Sequence, residues 1–284
     1  MKTAARIGAA TAWRRKVTGQ VVFVPTMGAL HEGHAALLRR ARRTAGAAGQ
    51  VAVSIFVNPI QFGPREDFAR YPRTFAADRS LCLSEGADLV FHPEASEMYA
   101  PDASVSVGEG SLSRGLCGAS RPGHFDGVCT VVAMLFQILR PDAAVFGEKD
   151  WQQLAVIRRM VRDLKMPVRI LGHPTVREED GLAMSSRNRL LSPEARRVAP
   201  RIYQALTAVQ LEAESGERSA GRLRRQLVAD LTAIPGASVD YAEIVDGETL
   251  SPIRGLGVSP ARALAAVRFG SVRLIDNVAV GLPR

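Results

Sequence analysis

Short runs of consecutive apolar residues punctuate the first half of the chain. They fall at 20–25 (QVVFVP), 51–57 (VAVSIFV), 88–91, 143–146 and 168–171, and turn-forming Gly, Pro or Asn residues lie close to them. Such runs, rich in β-branched residues, predict buried strands. Between them lie helical patterns at 35–44, 75–85, 128–139 and 151–164. In the first of these, Leu37, Leu38 and Ala41 share one side, and Gly46 and Gly49 end it. Gly86 stops the second, and Pro141 follows the third. Strands alternating with helices predict a parallel sheet covered on both faces. The unbroken apolar strands fit burial on both sides. The expected fold is α/β, a Rossmann-like doubly wound parallel sheet over 1–173.

The stretch 93–127 breaks this rhythm. It is rich in Gly, Ser and Pro, with one alternating strand signal at 104–107. Long irregular segments in compact domains are usually functional, so it reads as a wall or flap of an active site. Beyond residue 173 the order changes. A long helix is predicted over 194–214, capped by Ser192 with Pro193 in its first turn, and another over 222–234. Strand patterns follow at 238–245, 263–269 and 272–276. Helices followed by strands predict a smaller α+β domain over 174–284.

Composition narrows the class. The chain has 284 residues, 46% hydrophobic and 23% charged, which is ordinary for a globular protein and excludes disorder or a fibrous repeat. No apolar run reaches the roughly 18 residues of a membrane span, and residues 1–20 carry Arg and Lys without the apolar core of a secretory leader. Cys82, Cys117 and Cys129 show no CxxC spacing, so no zinc or disulfide framework is expected and a reducing cytoplasm fits. The formal charge is +9. Only Lys2, Lys16, Lys149 and Lys165 are lysines; the arginines gather on helical stretches, the pattern of solvated helix faces. A field of this sign also attracts small anions.

Four clusters carry chemistry. The first, Pro25-Thr26-Met27-Gly28-Ala29-Leu30-His31-Glu32-Gly33-His34, joins a strand end to a helix start. Ligands of open parallel sheets bind there, and a helix N-terminus offers unpaired N–H groups to an anion. Gly28 and Gly33 allow close backbone approach. His31 and His34, three apart, share a helical face and can donate to phosphate oxygens as charge develops. No GxGxxG or GxxxxGK[ST] occurs, which disfavours dehydrogenase and P-loop classes. The second cluster, Gly147-Glu148-Lys149-Asp150-Trp151-Gln152-Gln153, repeats the strand-to-helix setting. Its lysine, in an arginine-rich chain, suits a compact phosphate contact. The third, Met184-Ser185-Ser186-Arg187, offers two hydroxyls and a guanidinium to phosphate. The fourth, Asn58-Pro59-Ile60-Gln61-Phe62-Gly63, places Gln61 beside an aromatic residue at a strand end.

Taken together, PTMGALHEGH, VNPIQFG, YPRT, RPGHFDGV, FGEKDWQQL, MSSRNRLLS and RLIDN resemble, in order and spacing, the pantothenate synthetase (pantoate–β-alanine ligase) family of the HIGH/KMSKS nucleotidyltransferase superfamily. HEGH stands for the HIGH element and Met184–Arg187 for a degenerate KMSKS loop. The resemblance implies that ATP and (R)-pantoate give pantoyl adenylate and pyrophosphate, and that β-alanine then displaces AMP. It implies Mg2+ with the ATP, and a cytoplasmic homodimer. By the same resemblance Pro25 to His34, Gly147 to Asp150, Val176 and Met184 to Arg187 form the ATP site. His31, His34, Lys149, Ser185, Ser186 and Arg187 act on the phosphates, and His34 is cast as proton donor. Gln61 and Gln153 hold pantoate, with Gln61 also near β-alanine. Asp126 and Met134 depart from the family's usual residues.

Two rival readings make different demands. Another HxGH nucleotidyltransferase, moving AMP onto a phosphorylated vitamin precursor, would want extra basic residues at its acceptor site where this chain has glutamines. A non-enzymatic RNA-binding protein would interleave basic residues with exposed aromatics, yet aromatics make up only 6% of the chain. Neither a nucleic acid nor a membrane is expected as a partner.

Overall fold

The computed structural model describes every residue except 65, 258 and 282–284. In chain order the helices and strands are β1 (Lys2–Ala4), α1 (Ile7–Lys16), β2 (Val21–Thr26), α2 (Glu32–Ala45), β3 (Gln50–Ile55), α3 (Phe75–Ser84), β4 (Leu89–Phe91), α4 (Ala95–Met98), α5 (Cys117–Ser120), α6 (His124–Leu139), β5 (Ala143–Gly147), α7 (Trp151–Asp163), β6 (Arg169–His173), α8 (Pro193–Val198), α9 (Arg201–Glu214), α10 (Ala220–Thr232), β7 (Ala237–Asp246), β8 (Ala261–Phe269) and β9 (Val272–Val280). The chain divides into two units. One comprises Met1–Arg114, Arg121–Glu148 and Val156–Pro174; the other takes Gly115–Ser120, Lys149–Ala155 and the chain from Thr175 onward.

In the first unit six strands form one sheet in the order β1-β4-β3-β2-β5-β6, with every pairing parallel. β2 shows why both faces are covered. Val22 and Val24 join Leu38 and Ala41 of α2 in one apolar cluster. Phe23, between them, points to the other face and meets Phe136 of α6 edge-on, with ring centroids 6.3 Å apart. Leu38 and Phe23 are fully buried, and each such side chain contributes roughly 1.5–3 kcal/mol. The doubly wound reading holds. The chain leaves β2 toward β3 on one side, while β5 lies on the other. In open parallel sheets ligands bind at such a reversal, here outside the carboxyl ends of β2 and β5.

The second unit packs α9 and α10 on the antiparallel sheet β7-β8-β9. Leu206, Leu223, Leu227, Leu231 and Val267 form its fully buried centre.

Several expectations need correction. β1 and α1 lie where no element was expected. The single helix over 194–214 is two, α8 and α9. Pro200 at the junction has no N–H, and its ring would meet the carbonyl of residue 196 in a continuous helix. Ser192 does cap α8, accepting from the Ala195 N–H, with Pro193 in the first turn. The alternation at 104–107 makes no strand, and Val105 is 88% exposed. There the Thr130 hydroxyl accepts from the Val107 N–H, so the extended segment is held from α6 and not by a neighbouring strand. α6 itself begins at His124, four residues before the apolar run that announced it.

Candidate active site

The residues after β2 are held in a tight, specific shape. Gly28 and Ala29 both take positive φ, +84° and +51°. Asp78, buried on α3, fixes this turn: its carboxylate accepts from the Ala29 N–H at 3.0 Å and the Leu30 N–H at 2.8 Å. A Cβ on Gly28 would approach that same carboxylate at 3.0 Å. Asp78 also accepts from the Thr74 hydroxyl. Sequence reasoning missed Asp78; its only signal was a carboxylate within the apolar pattern of 75–85.

His31 is the N-cap of α2, and its Nδ1 accepts from the Gly33 N–H at 3.1 Å. His34 answers from one turn on: its Nδ1 accepts from the His31 N–H at 3.3 Å. This is a capping box built from two imidazoles. An accepting Nδ1 has no proton, so in both rings the proton sits on Nε2. The rings lie 4.2 Å apart, centroid to centroid. The pair thus places two imidazole rings at a helix N-terminus.

Gln61 ends a single 3-10 turn, Pro59–Gln61, after β3. α6 approaches this turn closely enough that a Cβ on Gly127 would lie 2.6 Å from the Ile60 carbonyl. His124, buried at the start of α6, bridges the Gln61 carbonyl at 2.9 Å and the Arg121 guanidinium at 2.9 Å. Arg121 in turn grips Glu66 with bonds of 2.7 and 2.6 Å. Burial alone would push the Glu66 carboxyl up. The Arg121 hydrogen bond and charge, with the Gly63 N–H, outweigh it and hold the group below the usual carboxylate range. Arg121 and His124 belong to the RPGHFDGV motif, which carried no residue roles in the sequence reading. Asp126 is exposed in the first turn of α6, where the helix N-terminus favours a carboxylate. Met134 is half-buried farther along that helix.

Pro25 and Thr26 close β2, and Gly147 closes β5 with Glu148 after it. All of these, with Met27 to His34 and Gln61, lie in the first unit.

Lys149, Asp150, Gln153, Val176 and Met184 to Arg187 lie in the second unit. The Lys149 ammonium sits 3.7 Å from the Asp150 carboxylate. Its backbone carbonyl accepts from the Asn277 side-chain amide at 2.9 Å. Gln153 is half-buried in the first turn of α7. Residues 176–184 form a hairpin: the Met184 N–H donates to the Val176 carbonyl at 3.0 Å, and Gly181 turns at φ +91°. Arg177 at its base pairs with Asp276 and stacks 3.5 Å over the Tyr203 ring. Ser185 caps the 3-10 turn Ser186–Leu190 by accepting from the Arg187 N–H, and Ser186 is buried. Lys149, Ser185 and Asp276 line one pocket with Leu182, Ala183 and Ile202. The RLIDN motif thus supplies, in Asp276 and Asn277, the anchors of two cationic segments.

The chain as a whole is similar to known proteins. A profile of the pantoate-beta-alanine ligase family matches residues 1–279. The pantothenate synthetase of Akkermansia muciniphila is 50% identical over 276 residues, covering 97% of this chain and 98% of that protein. The Thermotoga petrophila enzyme of the same name is 52% identical over 259 residues, 91% of each. Among solved structures, pantothenate synthetase from Thermus thermophilus superposes with a TM-score of 0.92 at 49% identity, covering 98% of this chain and 99% of its own. A pantoate-beta-alanine ligase from Francisella tularensis, complexed with beta-gamma ATP and beta-alanine, gives 0.80 at 32%, covering 98% and 97%. With motifs, fold and full-length similarity in agreement, the chain belongs to the pantoate-beta-alanine ligase family.

Proposed function

We propose that this chain joins (R)-pantoate to β-alanine at the expense of ATP. In the first step a pantoate carboxylate oxygen attacks the α-phosphorus, the bond to pyrophosphate breaks, and pantoyl adenylate forms. In the second, the β-alanine nitrogen attacks the acyl carbon, AMP leaves, and the nitrogen gives up a proton. The nucleophile of the first step is already ionised, so the site needs donors and positive charge more than a base.

The observation that carries this reading is the imidazole pair capping α2, in which each Nδ1 accepts a backbone N–H. It supplies paired donors for phosphate oxygens at the end of β2, with His34 nearest in role to a proton donor. On the same reading Pro25 to His34, Gly147 to Asp150, Val176 and Met184 to Arg187 take ATP. Lys149, Ser185, Ser186 and Arg187 stabilise the charge on its phosphates. Gln61 and Gln153 hold pantoate, with Gln61 also near β-alanine.

Magnesium accompanies the ATP in this proposal. Among the described residues no three His, Cys, Asp or Glu side chains come together, so the donor set does not fit a metal held by protein alone. Such a cation would take its ligands from phosphate oxygens and water. No described helix is long and apolar enough to cross a membrane. The three cysteines are unpaired, which supports a reducing compartment; a cytoplasmic homodimer completes the reading.

The test is pantoate-dependent exchange of labelled pyrophosphate into ATP with β-alanine left out. Exchange that requires pantoate is expected. Its absence in a folded, ATP-binding protein would move the activity to another acid or another nucleotidyl transfer.

A further inference from the structure

The Gln61 side chain is 8% exposed and engaged at both ends of its amide. Its Oε1 accepts from Asn58 Nδ2 at 3.1 Å, and its Nε2 donates to the Met27 thioether sulfur at 3.1 Å. Asn58 is more deeply buried, at 1% exposure. Its Nδ2 also donates to the Gly127 backbone carbonyl at 3.0 Å, and its Oδ1 accepts from the Tyr99 hydroxyl at 2.7 Å.

The directions in this chain are forced. A backbone carbonyl can only accept, so Asn58 must turn its NH2 toward Gly127 and hence toward Gln61. Gln61 must then turn its oxygen to Asn58. Flipping Gln61 would set two NH2 groups against each other, and flipping Asn58 would set two oxygens together beside Gly127. The Tyr99 hydroxyl completes the set by donating to the one Asn58 atom that the other contacts leave over.

We propose that this relay from Tyr99 through Asn58 fixes which end of the Gln61 amide carries its N–H groups, so that a ligand at the Nε2 end meets a donor and the subsite selects an accepting oxygen there, an ionised carboxylate above all, over a carboxamide N–H. Tyr99 and Asn58 are then positioning residues for specificity. The inference rests on the assignment of Gln61 to pantoate. Burial also pushes the Tyr99 hydroxyl up to about 12, so it remains a donor at every pH at which the protein would work.

The experiment uses the full-length chain in the pyrophosphate exchange assay, with pantoate as substrate and its carboxamide analogue as inhibitor. The unsubstituted chain is expected to prefer the acid. In Tyr99→Phe, which keeps the ring and removes the donor, the preference for acid over carboxamide should fall by about tenfold, the effect of one lost hydrogen bond. ATP KM should stay within about twofold, since the relay ends at Gln61. A merely structural role for Tyr99 would weaken acid and carboxamide alike, or lower kcat without changing their ratio, and either result overturns the proposal. Gln61→Glu serves if Tyr99→Phe does not fold: it replaces the donor with an acceptor and should reverse the preference, and an unchanged preference overturns the relay. No pantoate-dependent exchange by the unsubstituted chain is a different failure, which removes the functional reading and this inference with it.

Discussion

Asp276 holds Arg177 with both carboxylate oxygens, at 2.6 and 3.0 Å, across 99 positions of sequence. Its neighbour Asn277 holds the backbone of Lys149. Two adjacent residues on β9 thus anchor the hairpin that leads to Ser185 and the segment that carries the rare lysine. Asp276 is 5% exposed and Arg177 only partly exposed. Asp276→Ala therefore leaves a guanidinium without its counter-charge, and a loss of about 3–5 kcal/mol is expected. Urea unfolding monitored by circular dichroism measures this; a loss below about 1 kcal/mol, the range of an exposed pair, would show that the pair is a surface contact in effect.

Asp78 is expected to matter for ATP, though nothing assigns it to the reacting atoms. Asp78→Asn keeps one acceptor and turns an NH2 toward the other backbone donor of the Gly28–Leu30 turn. Each buried N–H left unpaired costs about 1–3 kcal/mol. The variant should lose stability in that range and show a raised ATP KM with pantoate KM little changed. Equal effects on both substrates would mean that the turn does not shape the nucleotide site.

Lys149→Ala should lower adenylate formation by about two orders of magnitude or more, because a charge contact to a phosphate in a water-excluded site is worth several kcal/mol. Single-turnover formation of pantoyl adenylate is the measurement, and near-normal turnover would remove Lys149 from the chemistry.

The Glu66–Arg121 pair gives a pH prediction. Glu66 is held below its ordinary range in the folded chain by Arg121, despite burial. Above about pH 5 the carboxyl is ionised both folded and unfolded, and its stabilisation is complete. As the pH falls through the unfolded value, about 4.3, the contribution declines, and it is gone below the folded value. The stability difference between the unsubstituted chain and Glu66→Gln should stay level from about pH 7 to 5 and shrink below about 4.5. A difference that grows on acidification would reverse the sign and rule out this origin.

Burial pushes the thiols of Cys82 and Cys129 up to about 12. At pH 8 they are protonated and shielded, and thiolate is the reactive form. Iodoacetamide should leave both unlabelled in the native protein and label them after unfolding. Cys129→Ala should retain turnover; rapid native labelling or a dead variant would contradict the assignment.

Why some of this was legible in the sequence and some was not follows from particular residues. β2, β3 and β5 announced themselves because both of their faces are buried, which leaves an apolar run with no polar interruption. β1 is three residues, Lys-Thr-Ala, on the edge of the sheet, too short and too polar to rise above its surroundings. The division of α8 from α9 was written in Pro200, which a continuous helical period conceals. Among the candidate residues, His31, His34, Lys149 and Ser185 carry recognisable local spacing. Asp78, Tyr99 and His124 do not. Each works through a partner 41 to 63 positions away, and no local pattern encodes contacts of that kind. For Tyr99 the partner is Asn58, 41 positions off, and a lone tyrosine before a proline-bearing loop gives no hint of it.

The bond between Asn277 and the Lys149 carbonyl joins positions 128 residues apart, and it has a consequence for the birth of the protein. Chains emerge from the ribosome at about 5–20 residues per second, so Lys149 is made on the order of ten seconds before its anchor exists. The parallel sheet can form in that interval, but the lysine's backbone waits for β9. A nascent or prematurely terminated chain lacking β9 therefore carries the Lys149 carbonyl without its Asn277 partner.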